Sequence, residues 1–245
     1  GTVITAALSA GLVGNAYSHS DCGGYTSLLG NVRTAELLMR WSEMAAFTAV
    51  MRSHEGNRPD QNLQLDQDPE VLAHFARMTR IYRHLAPYIR FLGTEASEAG
   101  LPLQRPLFLH HEDDARTYAE QTQYLFGRDL LVAPVLEAGV RSRTVYLPAG
   151  TDWIHVWTGQ AFAGGQDIEI SAPFGQPPVF YRPGGDHDDR CVAGSRLGGA
   201  DRALGPAHHG GDGDQQGQPI PDRRRPQGRR QAGRATAPRA AGPPA

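Results

Sequence analysis

The chain twice places a short apolar run directly before a polar loop, and this repeated layout most constrains its fold. Residues 1–16 are small and apolar, which predicts the end of a helix and then a short buried strand; a polar, Gly-rich cluster follows at 17–25. Residues 45–51 form a second apolar run, predicted to be the next strand, and a second polar loop follows at 52–58. Apolar residues at helical spacing predict a helix over 33–46. Neighbouring strands of an α/β barrel open onto one pocket, so we expect the two loops to lie together.

A longer helix is predicted to begin near Asp68. Asp68 fits the N-cap and Pro69 the first helical position, where the missing N–H of proline costs nothing. Pro87 is expected to interrupt this helix, and Gly100 to end it.

From about residue 101 short apolar stretches alternate with Gly and Pro turns. This alternating pattern predicts several short strands packed as a β-sandwich, with the boundary to the α/β part near residue 100. The predicted strands are Leu107–Leu109, Leu130–Val135, Thr144–Leu147, Trp153–Trp157, Ile168–Ile170 and Val179–Tyr181. We therefore predict an α/β part over 1–100 and an all-β part over 101–183.

The composition changes again after about residue 184. Gly, Pro, Arg, Asp and Ala dominate 184–245 and large apolar residues almost vanish. Such a segment cannot bury enough surface to offset its chain entropy, so it is expected to be disordered. The abrupt change suggests a frameshifted C-terminus as a hypothesis; resequencing the locus tests it, and an intact reading frame through 245 would defeat it.

Bulk composition excludes several function classes. The 245 residues carry a net charge of −2, and no run of about 18 apolar residues occurs, so neither a nucleic-acid partner nor a membrane partner is expected. The Arg-rich stretch 223–230 lacks the interleaved aromatic residues of a nucleic-acid site. With only two cysteines, Cys22 and Cys191, a reducing cytoplasm is the simplest expectation. The chain begins with Gly1 and no basic segment precedes the apolar start, which suggests a chain cut at its N-terminal side rather than a signal peptide.

Three side chains of the two loops are candidates for binding a ligand. Asp21 follows the first apolar run and could accept hydrogen bonds from sugar hydroxyls, or simply stabilise its loop. His54 could donate one hydrogen bond and accept another, although a lone His is more often structural. Tyr25 could donate a hydrogen bond to a ligand or form a wall of the pocket.

A second polar group, residues 110–114, contains metal-ligand residue types. Adjacent residues in a strand or turn point apart, and the spacing of known zinc motifs is absent. Neither a metal nor a cofactor is therefore expected.

Four segments resemble motifs of glycoside hydrolase family 31, in the order that the family has them. Residues 19–25 (HSDCGGY) resemble the motif after barrel strand 7, and 51–54 (MRSH) resemble the motif after strand 8. Residues 105–108 (RPLF) and 127–135 (GRDLLVAPV) resemble the start of the family's β-sandwich. The resemblance implies the C-terminal part of a (β/α)8 barrel followed by a β-sandwich.

The resemblance also implies an activity and a division of roles. Members are retaining α-glycosidases with two carboxylates about 5–5.5 Å apart. In the family both come from earlier strands, near 4 and 6, so this chain is expected to lack the nucleophile and the acid/base, and the isolated chain to be inactive. Asp21 and His54 match residues that bind the sugar in the −1 subsite.

One position favours the sulfoquinovosidase branch of the family. Tyr25 stands where most family glucosidases have Phe, and residues 54–59 (HEGNRP) and 177–182 (PPVFYR) also look like this branch. In that branch the matching Tyr helps to hold the sulfonate, to which a phenol can donate and a Phe cannot. An α-glucoside or α-xyloside substrate stays open as an alternative, as does a truncated, non-catalytic carbohydrate-binding remnant.

Overall fold

The computed structural model describes residues 1–25, 27 and 30–184, and the predicted disordered tail lies outside them. Four helices lie in its first hundred residues: α1 (Thr2–Leu12), α2 (Ala35–Ala45), α3 (Pro69–His84) and α4 (Ala86–Ala99). No helix of this described part is both long and apolar enough to cross a membrane.

The predicted signals at the ends of the long helix are confirmed. Oδ1 of Asp68 accepts hydrogen bonds from the backbone N–H groups of Glu70 (2.8 Å) and Val71 (3.2 Å), which caps α3. Helix α3 ends at its C-cap Leu85, two residues before Pro87, and α4 begins directly after it. Gly100 ends α4 in the left-handed conformation.

The two predicted parallel strands are not formed within the described residues. Val13, at the end of the first apolar run, is 85% exposed, and residues 45–51 are helix end, turn and coil. The only pairing here is one parallel bridge between Asp21 and Arg52, whose carbonyl accepts from Cys22 N at 2.8 Å. The apolar residues of 45–51 correctly predicted burial, since Phe47 is fully buried. The predicted extended conformation was wrong, because a strand needs neighbouring strands to satisfy its backbone N–H and C=O groups.

Eight antiparallel strands form the second half. They are β1 (Gln104–Arg105), β2 (Tyr124–Phe126), β3 (Leu130–Val132), β4 (Ser142–Leu147), β5 (Asp152–His155), β6 (Ala161–Ala163), β7 (Gln166–Ser171) and β8 (Val179–Tyr181). Six of them pair in the order β1-β2-β3-β8-β5-β6, and β4 pairs with β7. Five predicted strands are confirmed, whereas β1, β2 and β6 were missed. Leu107–Leu109 is a 3-10 helix instead, because Pro106 before it has no N–H to continue a ladder.

The central strands of the six-stranded sheet are buried on both faces. In β2, β3 and β8 the cross-strand row Leu125, Leu131 and Phe180 packs towards β4 and β7. The adjacent row Tyr124, Val132 and Val179 packs into a core formed with the helices. Successive side chains of a strand point to opposite faces of the sheet, so alternate residues of these strands pack into two different cores.

The two halves of the chain share the second of these cores. The Tyr124 phenol donates to the Phe47 carbonyl (3.0 Å), and the Tyr88 phenol of α4 donates to the Phe126 carbonyl (2.8 Å). The boundary at residue 100 stays a prediction, and side chains from both sides of it lie in one continuous apolar cluster.

A buried charge network also joins the halves. Arg40 of α2 donates to Glu43 (2.9 Å), to the Val140 carbonyl (3.0 Å) and to the Ala172 carbonyl (2.8 Å). Glu43 in turn accepts from the Gly175 N–H at 2.6 Å. Both charged side chains are at most 6% exposed, so α2 is held against the loop after β7 by charge-assisted hydrogen bonds.

Candidate functional site

The parallel bridge between Asp21 and Arg52 brings the two polar loops together, as expected from their positions after consecutive apolar runs. The first loop is anchored to α2, since Trp41 Nε1 donates to Ser20 Oγ at 2.8 Å. Its course needs glycine at position 23, where φ is +80° and a Cβ would collide with the Arg33 side chain. Loop and helix thus fix the position of Asp21.

Asp21 presents a carboxylate with spare acceptor capacity. Its side chain is 12% exposed, and Oδ1 lies 3.2 Å from Arg52 Nε in an ion pair. Oδ1 is buried and accepts no hydrogen bond from any group in the part of the chain that the structure describes. The carboxylate as a whole has more acceptor sites than these contacts use, so it can still accept from a ligand hydroxyl.

Tyr25 and His54 lie against one another beside Asp21. Their ring centroids are 4.8 Å apart in an edge-to-face arrangement, and the Tyr25 carbonyl accepts from the Gly56 N–H at 2.9 Å. The Tyr25 side chain is half exposed, and its phenol oxygen makes no hydrogen bond within the described residues. The three predicted residues are therefore brought to one place; their role in binding stays a prediction.

Arg52 links these residues, and the sequence reasoning noted it only as a neighbour of His54. Its guanidinium contacts both Asp21 and, at 2.8 Å from Nη2, His54 Nδ1. The signal in the sequence was its spacing of two from His54, which puts both side chains on one side of an extended segment.

Glu55 holds the second loop in shape. Its Oε1 accepts from the backbone N–H groups of Arg58 (2.7 Å) and Asn57 (3.1 Å) and from Asn62 Nδ2 (2.9 Å). The bond from Arg58 N is the main reason that the pKa of Glu55 lies below its usual value. Asn57 Oδ1 then accepts from the Ser27 N–H at 3.3 Å, which ties the second loop to the first.

Cys22 is a packing residue of this site. Its side chain is fully buried next to Leu38 and Met39, and burial raises the pKa of its thiol to about 12. A thiol with so high a pKa is unreactive at neutral pH, because the thiolate is the nucleophile. The second cysteine, Cys191, lies outside the described residues.

The polar group at 110–114 is occupied by structural contacts. His110 Nε2 accepts from Arg105 Nη1 at 2.8 Å, and His111 Nδ1 donates to the Ala149 carbonyl at 3.1 Å. Asp114 accepts from the Tyr146 phenol (2.5 Å) and the Ala149 N–H (2.9 Å). Over the described ranges no three His, Cys, Asp or Glu side chains are grouped so that they could hold a metal ion. The Arg-rich stretch at 223–230 lies outside those ranges.

Comparison with known proteins places this site in a family. Residues 2–91 match the TIM-barrel domain of glycosyl hydrolases family 31, and residues 100–185 match the family's C-terminal domain. The chain is 63% identical over 186 residues to a sulfoquinovosidase of Agrobacterium fabrum, covering 76% of this chain and 28% of that protein. It is 53% identical over 181 residues to a sulfoquinovosidase of Escherichia coli, covering 74% and 26%.

A solved structure agrees with these matches. A family 31 sulfoquinovosidase from E. rectale, in complex with an aza-sugar inhibitor, superposes with a TM-score of 0.75 at 47% identity and covers 80% of this chain. That match spans 29% of the solved chain, so the matched part of this chain covers between a quarter and three tenths of the length of these relatives. The expected architecture, the C-terminal part of a (β/α)8 barrel followed by a β-sandwich, is confirmed. The chain belongs to glycosyl hydrolase family 31.

Proposed function

We propose that this chain is the C-terminal part of an α-sulfoquinovosidase and supplies one side of its substrate pocket. Asp21 and His54 hold ring hydroxyls in the −1 subsite, and Tyr25 donates to the sulfonate at C6. The nucleophile and the acid/base come from barrel segments outside this chain. The cytoplasmic location expected from the cysteine content stays a prediction.

The observation that carries the proposal is the arrangement of Tyr25 beside Asp21 and His54. A phenol with an unused hydroxyl lies edge-on to the His54 ring, within a site that also has a carboxylate with spare acceptor capacity. Sugar hydroxyls both donate and accept, whereas a sulfonate oxygen only accepts. The Tyr25 hydroxyl can donate to a sulfonate while Asp21 and His54 bind ring hydroxyls, so the site fits a sulfonated sugar better than an unsubstituted glucose. The high identity to two sulfoquinovosidases supports this choice.

In the proposed reaction these residues bind and orient the sugar. The carboxylate pair of a retaining glycosidase attacks the anomeric carbon and protonates the leaving oxygen, and water then hydrolyses the glycosyl-enzyme. Hydrogen bonds to ring hydroxyls that strengthen in the transition state lower the barrier. Asp21, as an acceptor next to a guanidinium, is suited to such a bond.

A chimera tests the proposal without any assumption about what precedes Gly1. Residues 1–184 of this chain replace the matching segment of the Agrobacterium fabrum sulfoquinovosidase, which keeps its own catalytic barrel strands. Hydrolysis of a chromogenic α-sulfoquinovoside is compared with that of the matching α-glucoside and α-xyloside. We expect turnover of the sulfonated substrate, and a loss of about tenfold or more in kcat/KM for Tyr25→Phe on that substrate only, since a hydrogen bond to a charged group is removed.

The other outcomes are equally informative. A folded chimera that prefers the α-glucoside, or that is indifferent to Tyr25→Phe, contradicts the substrate assignment. A folded chimera without any glycosidase activity favours the non-catalytic remnant. The 245-residue chain is assayed alongside, and turnover by it would contradict the placement of both catalytic carboxylates outside this chain.

A further inference from the structure

The Arg52 side chain makes polar contacts with both proposed hydroxyl-binding residues. Its Nε lies 3.2 Å from Asp21 Oδ1, and its Nη2 lies 2.8 Å from His54 Nδ1. Its carbonyl also accepts from Cys22 N, so the Arg52 backbone is fixed by the bridge between the loops. The side chain itself is half exposed, at 50%.

The contact with His54 determines where that ring carries its proton. A guanidinium has five N–H donors and no acceptor. The nitrogen of His54 that faces Arg52 must therefore accept, and Nδ1 then has no hydrogen. The ring N–H of His54 is consequently on Nε2, which makes no hydrogen bond within the described residues.

We propose that Arg52 is a positioning residue that holds His54 in the Nε2–H tautomer and thereby makes it a hydrogen-bond donor to substrate. The same guanidinium holds Asp21 as an acceptor. The pocket thus presents one donor and one acceptor side by side, which suits two neighbouring sugar hydroxyls in a single orientation. This inference rests on the proposed function for its substrate, but the tautomer itself follows from the contact alone.

Arginine is suited to this task in a way that lysine is not. The planar fork of Arg52 reaches two partners at once from nitrogens at fixed positions, whereas an ammonium group is a single point charge on a flexible chain. Arg52→Lys keeps the charge and a single donor nitrogen, and Arg52→Met keeps neither. The two variants therefore separate loss of the fork from loss of every donor.

The first test reads the tautomer directly and needs no catalytic activity. Long-range ¹H–¹⁵N correlation spectra of the ¹⁵N-histidine-labelled 245-residue chain distinguish the protonated nitrogen from the nitrogen with the lone pair, and His54→Gln assigns the signals. We expect the Nε2–H tautomer in the wild type and a mixture of tautomers in Arg52→Met. An Nδ1–H ring in the wild type, or unchanged spectra in Arg52→Met, overturns the proposal.

The second test measures what the tautomer does for catalysis in the chimera. We expect Arg52→Met to lower kcat/KM on the preferred substrate by about tenfold to a hundredfold, the effect of losing a charge-assisted hydrogen bond, and Arg52→Lys to lower it less. In a His54→Ala background the loss should shrink, because Arg52 then has only Asp21 to position. Equal losses in both backgrounds, with a lowered melting temperature, indicate a structural role only and overturn the proposal. If the chimera proves to be an α-glucosidase, the substrate assignment is wrong while both tests of Arg52 still apply.

Discussion

At the scale of single residues, the site depends on contacts that leave little freedom. Gly56 lies directly under the Tyr25 ring, and a Cβ at this position would collide with three atoms of that ring. The φ angle of Gly56 is outside the left-handed region, so the backbone itself would accept alanine. Glycine is therefore needed at position 56 to leave room for the Tyr25 ring, and not to allow an unusual backbone conformation.

Gly56→Ala is expected to displace the Tyr25 ring without unfolding the protein, because a half-exposed ring can swing towards solvent. In the chimera we expect kcat/KM on the sulfoquinovoside to fall by about tenfold, close to the loss from Tyr25→Phe. The effect is measured again in a Tyr25→Ala background, where it should vanish. An equal loss in both backgrounds would show that Gly56 acts on something other than Tyr25.

Cys22 gives a residue-scale prediction about reactivity. Its thiol is fully buried and burial raises its pKa to about 12, so at pH 8 almost no thiolate is present. We expect iodoacetamide to label Cys22 far more slowly in native protein than in urea, as measured by mass spectrometry of the peptides. Labelling of native Cys22 at the rate found in urea would contradict its placement in the core.

At the scale of elements, the helices were predictable and the two barrel strands were not. A helix satisfies its own backbone, so local signals such as Asp68, Pro69 and Gly100 were enough to place the ends of α3 and α4. A parallel strand satisfies its backbone only through neighbours distant in sequence, and residues 45–51 have no such neighbour in the part of the chain that the structure describes. The antiparallel strands were easier, because their signals are local: alternation in Ile168 and Ile170, and compact apolar runs in β3 and β8.

The same reasoning applies to the site. The sequence could place Asp21, Tyr25 and His54 after consecutive apolar runs, but their mutual contacts depend on rotamers that no spacing reveals. Arg52 shows the limit of prediction from the sequence. Its two partners, Asp21 and His54, lie on different loops, so no local pattern indicates that one side chain contacts both.

Asp68→Ala is expected to destabilise the protein by about 1 kcal/mol, because two N–H groups at the start of α3 lose their acceptor. Asp68→Ser is the matched control and should cost much less, since serine is also a good N-cap. Urea unfolding followed by circular dichroism measures both. Equal losses for the two variants would indicate that Asp68 matters for something other than capping.

At the scale of the whole molecule, buried and part-buried histidines make the stability of the fold depend on pH. Burial lowers the pKa of His74, His110 and His155 from 6.5 to about 4. They lie on α3, beside β1 and on β5, so the effect belongs to the whole described structure rather than to the site.

The direction of this dependence follows from proton binding. Between pH 6.5 and 4 the unfolded chain holds protons on these rings and the folded chain does not, so acid favours unfolding and stability rises with pH. Each ring contributes at most about 1.4 kcal/mol per pH unit. We expect the free energy of unfolding to fall as pH is lowered from 6.5 through 4, measured by urea titration at each pH. His155→Gln should flatten the slope, and a slope unchanged by that substitution would contradict the assignment.

The buried network around Arg40 and Glu43 bears on how such a protein can evolve. Its acceptors and donors lie on both sides of residue 100, at α2 and at Val140, Ala172 and Gly175. Recombination near residue 100 would bring in a foreign sandwich, and any difference in the course of its loop after β7 would leave Glu43 buried without the backbone amide that it binds. We therefore expect the sandwich to be exchanged between related genes together with α2, and insertions or deletions in the loop after β7 to be rare wherever Arg40 and Glu43 are present.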